Sequence, residues 1–246
     1  FWLRFHEECF GDTYLARKWE DVMEQVPPMR FQQIDCPMKP AQRKAYTELK
    51  KQYQTVTDSG QEIVAWSAGG VHVKLAKVCT GLELLDPATP ASGKMEALRE
   101  QLFQRDGQVL VVGHFKDTCR AVAAVARSLG RRVSVVHGDV SRGDRQAAVA
   151  GFKDGSVDVL VGSIDTVAEG LSFEKVHTVI RVERSWRPSR NEQVVRRIRR
   201  VSNLSPKLCI DLVTPNSIDA NMLPVLEAKT DQQVKALRAK ELAALL

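Results

Sequence analysis

A chain of 246 residues that is 43% hydrophobic and 27% charged can bury a sizeable core, and its length suits one large domain or two small ones. No run of about 18 apolar residues occurs, and the opening stretch from Phe1 to Phe10 carries Arg4, His6, Glu7 and Glu8, so neither a membrane span nor a secretory signal is supported. The net charge of +6 is modest but concentrated: Arg181 to Arg200 holds eight arginines against two glutamates, which points to a polyanionic partner, the alternative being a solvated basic face.

The chain opens on Phe1 inside an amphipathic stretch and reads as a piece of something longer, cytoplasmic or nuclear. Before Lys94 the pattern is helical, over Pro40 to Gln54 and Val71 to Leu85, with a break at Thr57-Asp58-Ser59-Gly60 and another from Asp86 to Pro90. Residues 1–93 are read as a linker and helical insertion. From Gln108 onward five β-rich runs alternate with helices: Val109 to Val112, Val133 to Val136, Val157 to Val161, Thr178 to Val182 and Lys207 to Val213. Apolar strands of this kind, separated by helices, predict an α/β fold, a parallel sheet flanked by helices.

Between Thr118 and Leu129 the apolar positions Val122, Val125, Ala126 and Leu129 recur at helical spacing. Ser141 followed by Asp144, and Ser189 followed by Glu192, read as capped helix starts. Residues 94–216 form this sheet domain, and 217–246 a C-terminal helix capped by Ser217, with Val234, Leu237, Leu242 and Leu245 on its apolar side. The five cysteines, Cys9, Cys36, Cys79, Cys119 and Cys209, are odd in number and lack the two-residue spacing of a metal knuckle. They are expected to be reduced and structural, and no metal site is assigned.

Most informative is Glu192-Gln193-Val194-Val195-Arg196-Arg197-Ile198-Arg199-Arg200. On a helix turning about 100° per residue, Gln193, Arg197 and Arg200 fall within roughly 60° of one another, while Val194, Ile198 and Val201 form the adjacent docking face. Two rigidly held guanidinium forks can stabilise charge developing on a transferring γ-phosphoryl group, and the glutamine can orient a phosphate oxygen or the attacking water. The alternative makes the arginines a phosphate-backbone grip or surface ion-pair partners.

The stretch Ser163-Ile164-Asp165-Thr166-Val167-Ala168-Glu169-Gly170-Leu171-Ser172-Phe173, with Thr178-Val179-Ile180, Trp186-Arg187-Pro188 and Glu192 to Arg200, resembles helicase motifs V and VI of Swi/Snf-type ATPases. Val109 to Phe115 resembles motif IV, and His137-Gly138-Asp139 with Asp144-Arg145-Gln146 resembles the turn and helix after it. Ser92-Gly93-Lys94 is similar to the opening of the family's second lobe, and Glu24 to Pro28 with Pro40 to Tyr46 to the segment joining its two lobes. This chain departs from the pattern near Val167-Ala168, where the family has a glycine pair, at Val140, where it has threonine, and at Ser202-Asn203, where it has glycine-glutamine. Ala168-Glu169-Gly170 reads like bacterial and phage members.

The resemblance implies a RecA-like C-terminal lobe of a superfamily-two DNA translocase. It assigns Arg197, Arg200 and Gln193 to catalysis, and Glu169 and Gly170 to nucleotide contact. The cofactor is ATP with Mg2+, held mainly by a first lobe, since no G-x-x-x-x-G-K-[ST] loop and no Asp-Glu-x-His box occur in this chain. That first lobe and DNA are the partners implied, with duplex favoured, RNA open, a recruiting protein unspecified and no membrane.

His114, Gly138, Ser163 and Asp165 follow strand ends and are expected to contact the nucleic-acid backbone, with Asp165 suited to orienting an arginine. The alternative for His114 is a partly buried histidine satisfied by a neighbour. Lys74 and Lys77 line the duplex or a solvated helix face, and Trp186 is expected to pack on the arginine helix. Two other readings stay open: a non-catalytic nucleic-acid-binding or scaffold lobe, and a dinucleotide-binding enzyme, although no G-x-G-x-x-G turn follows a strand.

Overall fold

The run Val109-Leu110-Val111-Val112 is apolar at every position and β-branched at three of four, which suits a strand covered on both faces. The computed structural model, which describes Arg4, Glu8 and residues 28–169, 172–200 and 202–237, places it at the centre of a parallel sheet. The five expected strands are β4 (Val109–Gly113), β5 (Val133–Val136), β6 (Val159–Ser163), β7 (Thr178–Arg181) and β8 (Lys207–Val213). A sixth, β1 (Met29–Asp35), comes from the segment read as linker and pairs in parallel with β8. The spatial order is β1-β8-β7-β4-β6-β5.

Alternation along β4 divides the core. Val109 and Val111 face Leu98 and Leu102 of α3 (Gly93–Phe103) and Val122 and Ala126 of α4 (Lys116–Ser128). Leu110 and Val112 face the other layer, with Phe152 of α5 (Arg142–Asp154), Ile164 of α6 (Ile164–Ala168), and Val194 and Ile198 of α7 (Pro188–Ile198). The four described cysteines, Cys36, Cys79, Cys119 and Cys209, are free and buried, while Cys9 lies outside the described residues. Burial pushes the thiols of Cys119 and Cys209 up to about 12, which keeps them protonated and unreactive.

A third core joins the N-terminal insertion to the C-terminal helix. In it Tyr46 and Leu49 of α1 (Pro40–Gln52) pack with Leu75 and Val78 of α2 (Ala68–Thr80) and with Ile218, the first residue of α8 (Ile218–Leu237). The Tyr46 hydroxyl accepts a hydrogen bond from the Ile218 N–H at 2.9 Å. Thr57 to Gly60 is not a plain break between helices. It turns a hairpin between β2 (Gln54–Val56) and β3 (Glu62–Val64), with Gly60 at φ 87° and the Thr57 N–H donating to the Gln61 carbonyl at 3.0 Å. The predicted helix from Val71 to Leu85 stops at Thr80, followed by a short 3-10 turn.

Helix starts follow the expected chemistry in two of three places. Ser141 accepts from the Asp144 N–H at 3.1 Å, and Ser217 accepts from the Asp219 N–H at 3.1 Å. Ser189 caps nothing, because α7 begins one residue earlier on Pro188, whose fixed φ suits a first helical position where no N–H is needed.

Ser92-Gly93-Lys94 clasps three parts of the chain. Ser92 caps α3 and donates to the Thr80 carbonyl at 2.8 Å. Lys94, 1% exposed, donates to the Val182 carbonyl at 2.7 Å and pairs with Asp219 of α8 at 2.7 Å. A Cβ on Gly93 would stand 2.5 Å from the Pro37 carbonyl oxygen, which is backbone and cannot yield cheaply. Gly93→Ala is expected to destabilise the chain by about 1–3 kcal/mol, measured as a lowered urea midpoint with an unchanged slope.

Candidate functional site

Two groups of polar residues stand out, and α7 runs between them. The helix is docked by Val194 and Ile198, both 0% exposed, and its first turn is locked by Asn191, whose side-chain oxygen accepts from the Ser185 N–H at 2.9 Å while its amide donates to the Ser185 carbonyl at 2.8 Å. Gln193 and Arg197 therefore point where four-residue spacing places them.

Arg200 does not share their helix. The helix ends at Ile198, Arg199 is extended, and Arg200 forms a bridge with Asn203, so the helical projection fails for Arg200. Its position is set instead by the turn after the helix, whose side chain at Asn203 donates to the Glu174 carbonyl at 2.9 Å. Even so, Arg200 stays close: burial first and the Arg200 charge second push the Arg197 guanidinium below its ordinary value. Val201, expected to dock beside Val194 and Ile198, lies outside the described residues.

One Arg197 Nη donates to the Ala168 carbonyl, and the Phe173 N–H donates to the Arg197 carbonyl at 2.8 Å. Gln193 Oε1, Arg197 Nε and Arg200 Nε are buried without a partner, three of the five such atoms among the described residues. A buried polar atom left without a hydrogen bond costs about 1–3 kcal/mol, so this stretch holds unused hydrogen-bonding capacity that an incoming group can satisfy.

The loop against this helix is firmly held. Lys207, 1% exposed, donates to the carbonyls of Glu174 at 2.9 Å and Val176 at 3.0 Å, and burial lowers its pKa. Asp165 and Glu169 are exposed, and Arg190 of α7 stands 3.5 Å from each carboxylate. Gly170 lies outside the described residues.

The second group lies at the C-terminal ends of the strands. Gly113 pairs with Ser163 and Val136 with Gly162, so His114, Gly138, Ser163 and Asp165 come together along one end of the sheet. His114 is exposed, with its ring edge-on to Phe115 at 5.0 Å, so the alternative of a partly buried histidine does not hold. Lys116 pairs with Asp139 at 2.5 Å and ties the β4 turn to the exposed Gly138 turn. The Ser163 hydroxyl donates to Thr166 Oγ1 at 2.8 Å. Pro188 begins α7 at this end, and the nine residues to Arg197 carry the chain about 14 Å away, so the arginine cluster is separate.

Lys77 is neither free nor simply solvated. It pairs with Asp117 at 2.6 Å and sits over the Phe115 ring at 5.6 Å, and its hydrogen bond holds the Asp117 carboxyl below the usual range. Trp186, expected to pack on the arginine helix, also meets the elements on its other side. Its ring meets His72 of α2 at 5.4 Å and lies under Lys229 of α8 at 5.9 Å, because the helical insertion and α8 close over that turn.

Sequence reasoning overlooked buried charges, among them Asp211, Glu183 and Lys207. Asp211 receives Arg181 at 2.6 and 2.7 Å and Arg184 at 2.6 Å; Glu183 and Lys207 are each 7% exposed or less. The available signal was a charged residue inside or directly after an apolar strand run, as in Ile210-Asp211-Leu212 and Ile180-Arg181-Val182-Glu183.

The profile of the helicase conserved C-terminal domain family matches residues 93–202, a span that holds β4 to β7, α7 and both polar groups. Over 241 residues, 89% of this chain, the sequence is 24% identical to the SWI/SNF chromatin-remodeling complex subunit snf22 of Schizosaccharomyces pombe. It is 23% identical to Protein CHROMATIN REMODELING 4 of Arabidopsis thaliana, with 87% of this chain covered. Residues 93–202 carry a helicase conserved C-terminal domain, and over most of its length the chain is similar to Swi/Snf-type relatives. It spans 14% and 11% of the length of these two relatives. The domain is also 30% identical over 156 residues to the ATP-dependent RNA helicase DBP3 of Phaeosphaeria nodorum, a match covering 61% of this chain and 26% of that one. In fold it superimposes on the crystal structure of the C-terminal part of the Fun30 ATPase domain with a TM-score of 0.63 at 16% identity, covering 82% of this chain and 90% of that one. The helicase lobe is therefore the RecA-like sheet flanked by helices, extended by the insertion and α8.

Proposed function

We propose that this helicase lobe is the second motor lobe of an ATP-dependent translocase on duplex DNA and that Arg197 and Arg200 reach across to ATP held by a first lobe. Gln193 orients a phosphate oxygen or the attacking water. The observation that carries this reading is the set of buried, unpartnered polar atoms on Gln193, Arg197 and Arg200. Pre-placed guanidinium donors in a site shielded from water stabilise phosphoryl charge without reorganising when the charge develops.

ATP with Mg2+ fits this donor set, which is rich in cationic N–H groups, and it supplies the transferable phosphoryl group when bound. Metal and phosphates fall mainly to the first lobe, because this chain has no phosphate loop, and the lobe alone is expected to be inactive as an ATPase. Glu169 and Gly170, next to the Ala168 carbonyl that receives Arg197, are assigned to nucleotide contact.

His114, Gly138 and Ser163 grip the nucleic-acid backbone, while Asp165 orients Arg190. No helix among the described residues is long and apolar enough to cross a membrane. A nuclear parent fits the chromatin-remodelling relatives better than the bacterial or phage origin suggested by Ala168-Glu169-Gly170.

The test is ATP turnover by the full-length parent with duplex DNA, single-stranded DNA, RNA or no nucleic acid. Stimulation greatest with duplex is expected, and turnover that no nucleic acid alters would overturn the proposal. Ser163→Ala is expected to weaken binding to duplexes of unrelated sequence by the same factor, roughly tenfold, in titrations at fixed salt, since the lost bond is to backbone and carries no sequence information.

A further inference from the structure

Glu183 follows β7 and is 7% exposed, yet no cation faces it within ion-pair distance among the described residues; four neutral donors do. Through Oε2 it accepts from the N–H groups of His114 at 2.5 Å and Phe115 at 3.0 Å. Through Oε1 it accepts from the hydroxyls of Thr118 at 2.8 Å and Thr80 at 2.6 Å. Phe115 is the N-cap of α4 and offers no capping side chain; its own N–H and that of His114 before it are held by Glu183, just after the neighbouring strand β7. Gly113 allows the close approach: a Cβ there would stand 2.8 Å from Thr118 and 3.4 Å from Glu183.

The same short segment is fixed at its other end. Arg184 is pinned to Asp211 at 2.6 Å, and both the N–H and the carbonyl of Ser185 are held by Asn191 on α7. Glu183 to Ser185 thus joins the exposed His114 turn to the helix that carries Gln193 and Arg197. If the His114 turn moves, either the Glu183 bonds break or the segment and α7 move with it. Thr80, the last residue of α2, brings the helical insertion to the same carboxylate.

We propose that Glu183 is a positioning residue that couples nucleic-acid engagement at the His114 turn to placement of the arginine helix. This inference rests on the reading of the chain as a motor lobe. Coupling of this kind is reciprocal, so nucleotide must change DNA affinity by the factor by which DNA changes nucleotide affinity.

The test uses the full-length parent and two ratios: duplex-stimulated over unstimulated ATP turnover, and duplex affinity with over without a non-hydrolysable ATP analogue. Glu183→Ala is expected to bring both ratios towards one, a loss of about tenfold where the wild type shows a typical coupling. Glu183→Gln is expected to retain most of both, since its oxygen can serve the two backbone N–H groups while its amide donates to hydroxyls turned to accept. A merely structural role lowers the melting temperature and leaves the ratios alone, and wild-type ratios in a folded Glu183→Ala protein overturn the proposal. If that variant does not fold, Asn191→Leu, which cuts the other end of the segment, must show the same loss of ratio, and a wild-type ratio there overturns the proposal equally. A wild type that no nucleic acid stimulates removes the motor reading itself, and this inference with it.

Discussion

Arg197→Ala and Arg200→Ala are each expected to lower duplex-stimulated ATP turnover by the parent protein by a factor of about 10³ or more, with ATP binding kept. The two arginines are held by different parts of the structure, so each substitution tests a separate placement. Arg197 is placed by helix α7 and by its bond to the Ala168 carbonyl, whereas Arg200 is placed by the turn that Asn203 ties to Glu174. In each, the Nε is buried without a partner, a donor direction that truncation to alanine removes. Arg197→Lys is expected to recover little, because an ammonium cannot reproduce a planar fork that already spends one arm on a backbone carbonyl. Single-turnover and nucleotide-binding measurements separate lost chemistry from lost binding. Wild-type turnover in both alanine variants would make this basic stretch a docking surface.

The sheet was legible in the sequence because its buried parallel strands are built mainly from apolar, β-branched residues. Val133–Val136 and Lys207–Val213 are found with the bounds read from sequence. Strand β1 escaped because it is an edge: Arg30, Phe31, Gln32 and Gln33 are exposed, and no face of it shows alternation. The β2–β3 hairpin escaped because its strands are three residues long, too short for a period to register. The end of α7 was misjudged because Val201 continues the apolar spacing past the true stop and no glycine or asparagine follows Ile198 directly.

For the candidate site, helical spacing was enough to pair Gln193 with Arg197. The surroundings of Glu183 were not readable, since its hydroxyl partners lie 65 and 103 residues away in sequence. Local pattern places a residue on an element; it cannot say which distant carbonyls and hydroxyls the fold brings to it.

Asp211→Ala is the substitution expected to cost most in stability, about 3–5 kcal/mol at neutral pH, because it leaves the Arg181 and Arg184 guanidinium groups close together and without their shared carboxylate. Asp211 is 5% exposed, and burial by itself would raise its pKa. The bonds to Arg181 first, and then those to Arg184, outweigh that and hold it below the ordinary carboxylate range. A carboxyl whose pKa is lower folded than unfolded contributes stability that is fully present above the unfolded value, about 3.9, and is lost as pH falls through the folded value. Wild type and Asp211→Ala should therefore differ most near pH 7 and converge in acid. Urea unfolding of the two at pH 7 and near pH 3 checks this: a gap that narrows in acid assigns the stabilisation to the ionised carboxylate. A gap of constant size would assign it to packing around the side chain, since a methyl for a carboxyl changes volume equally at every pH.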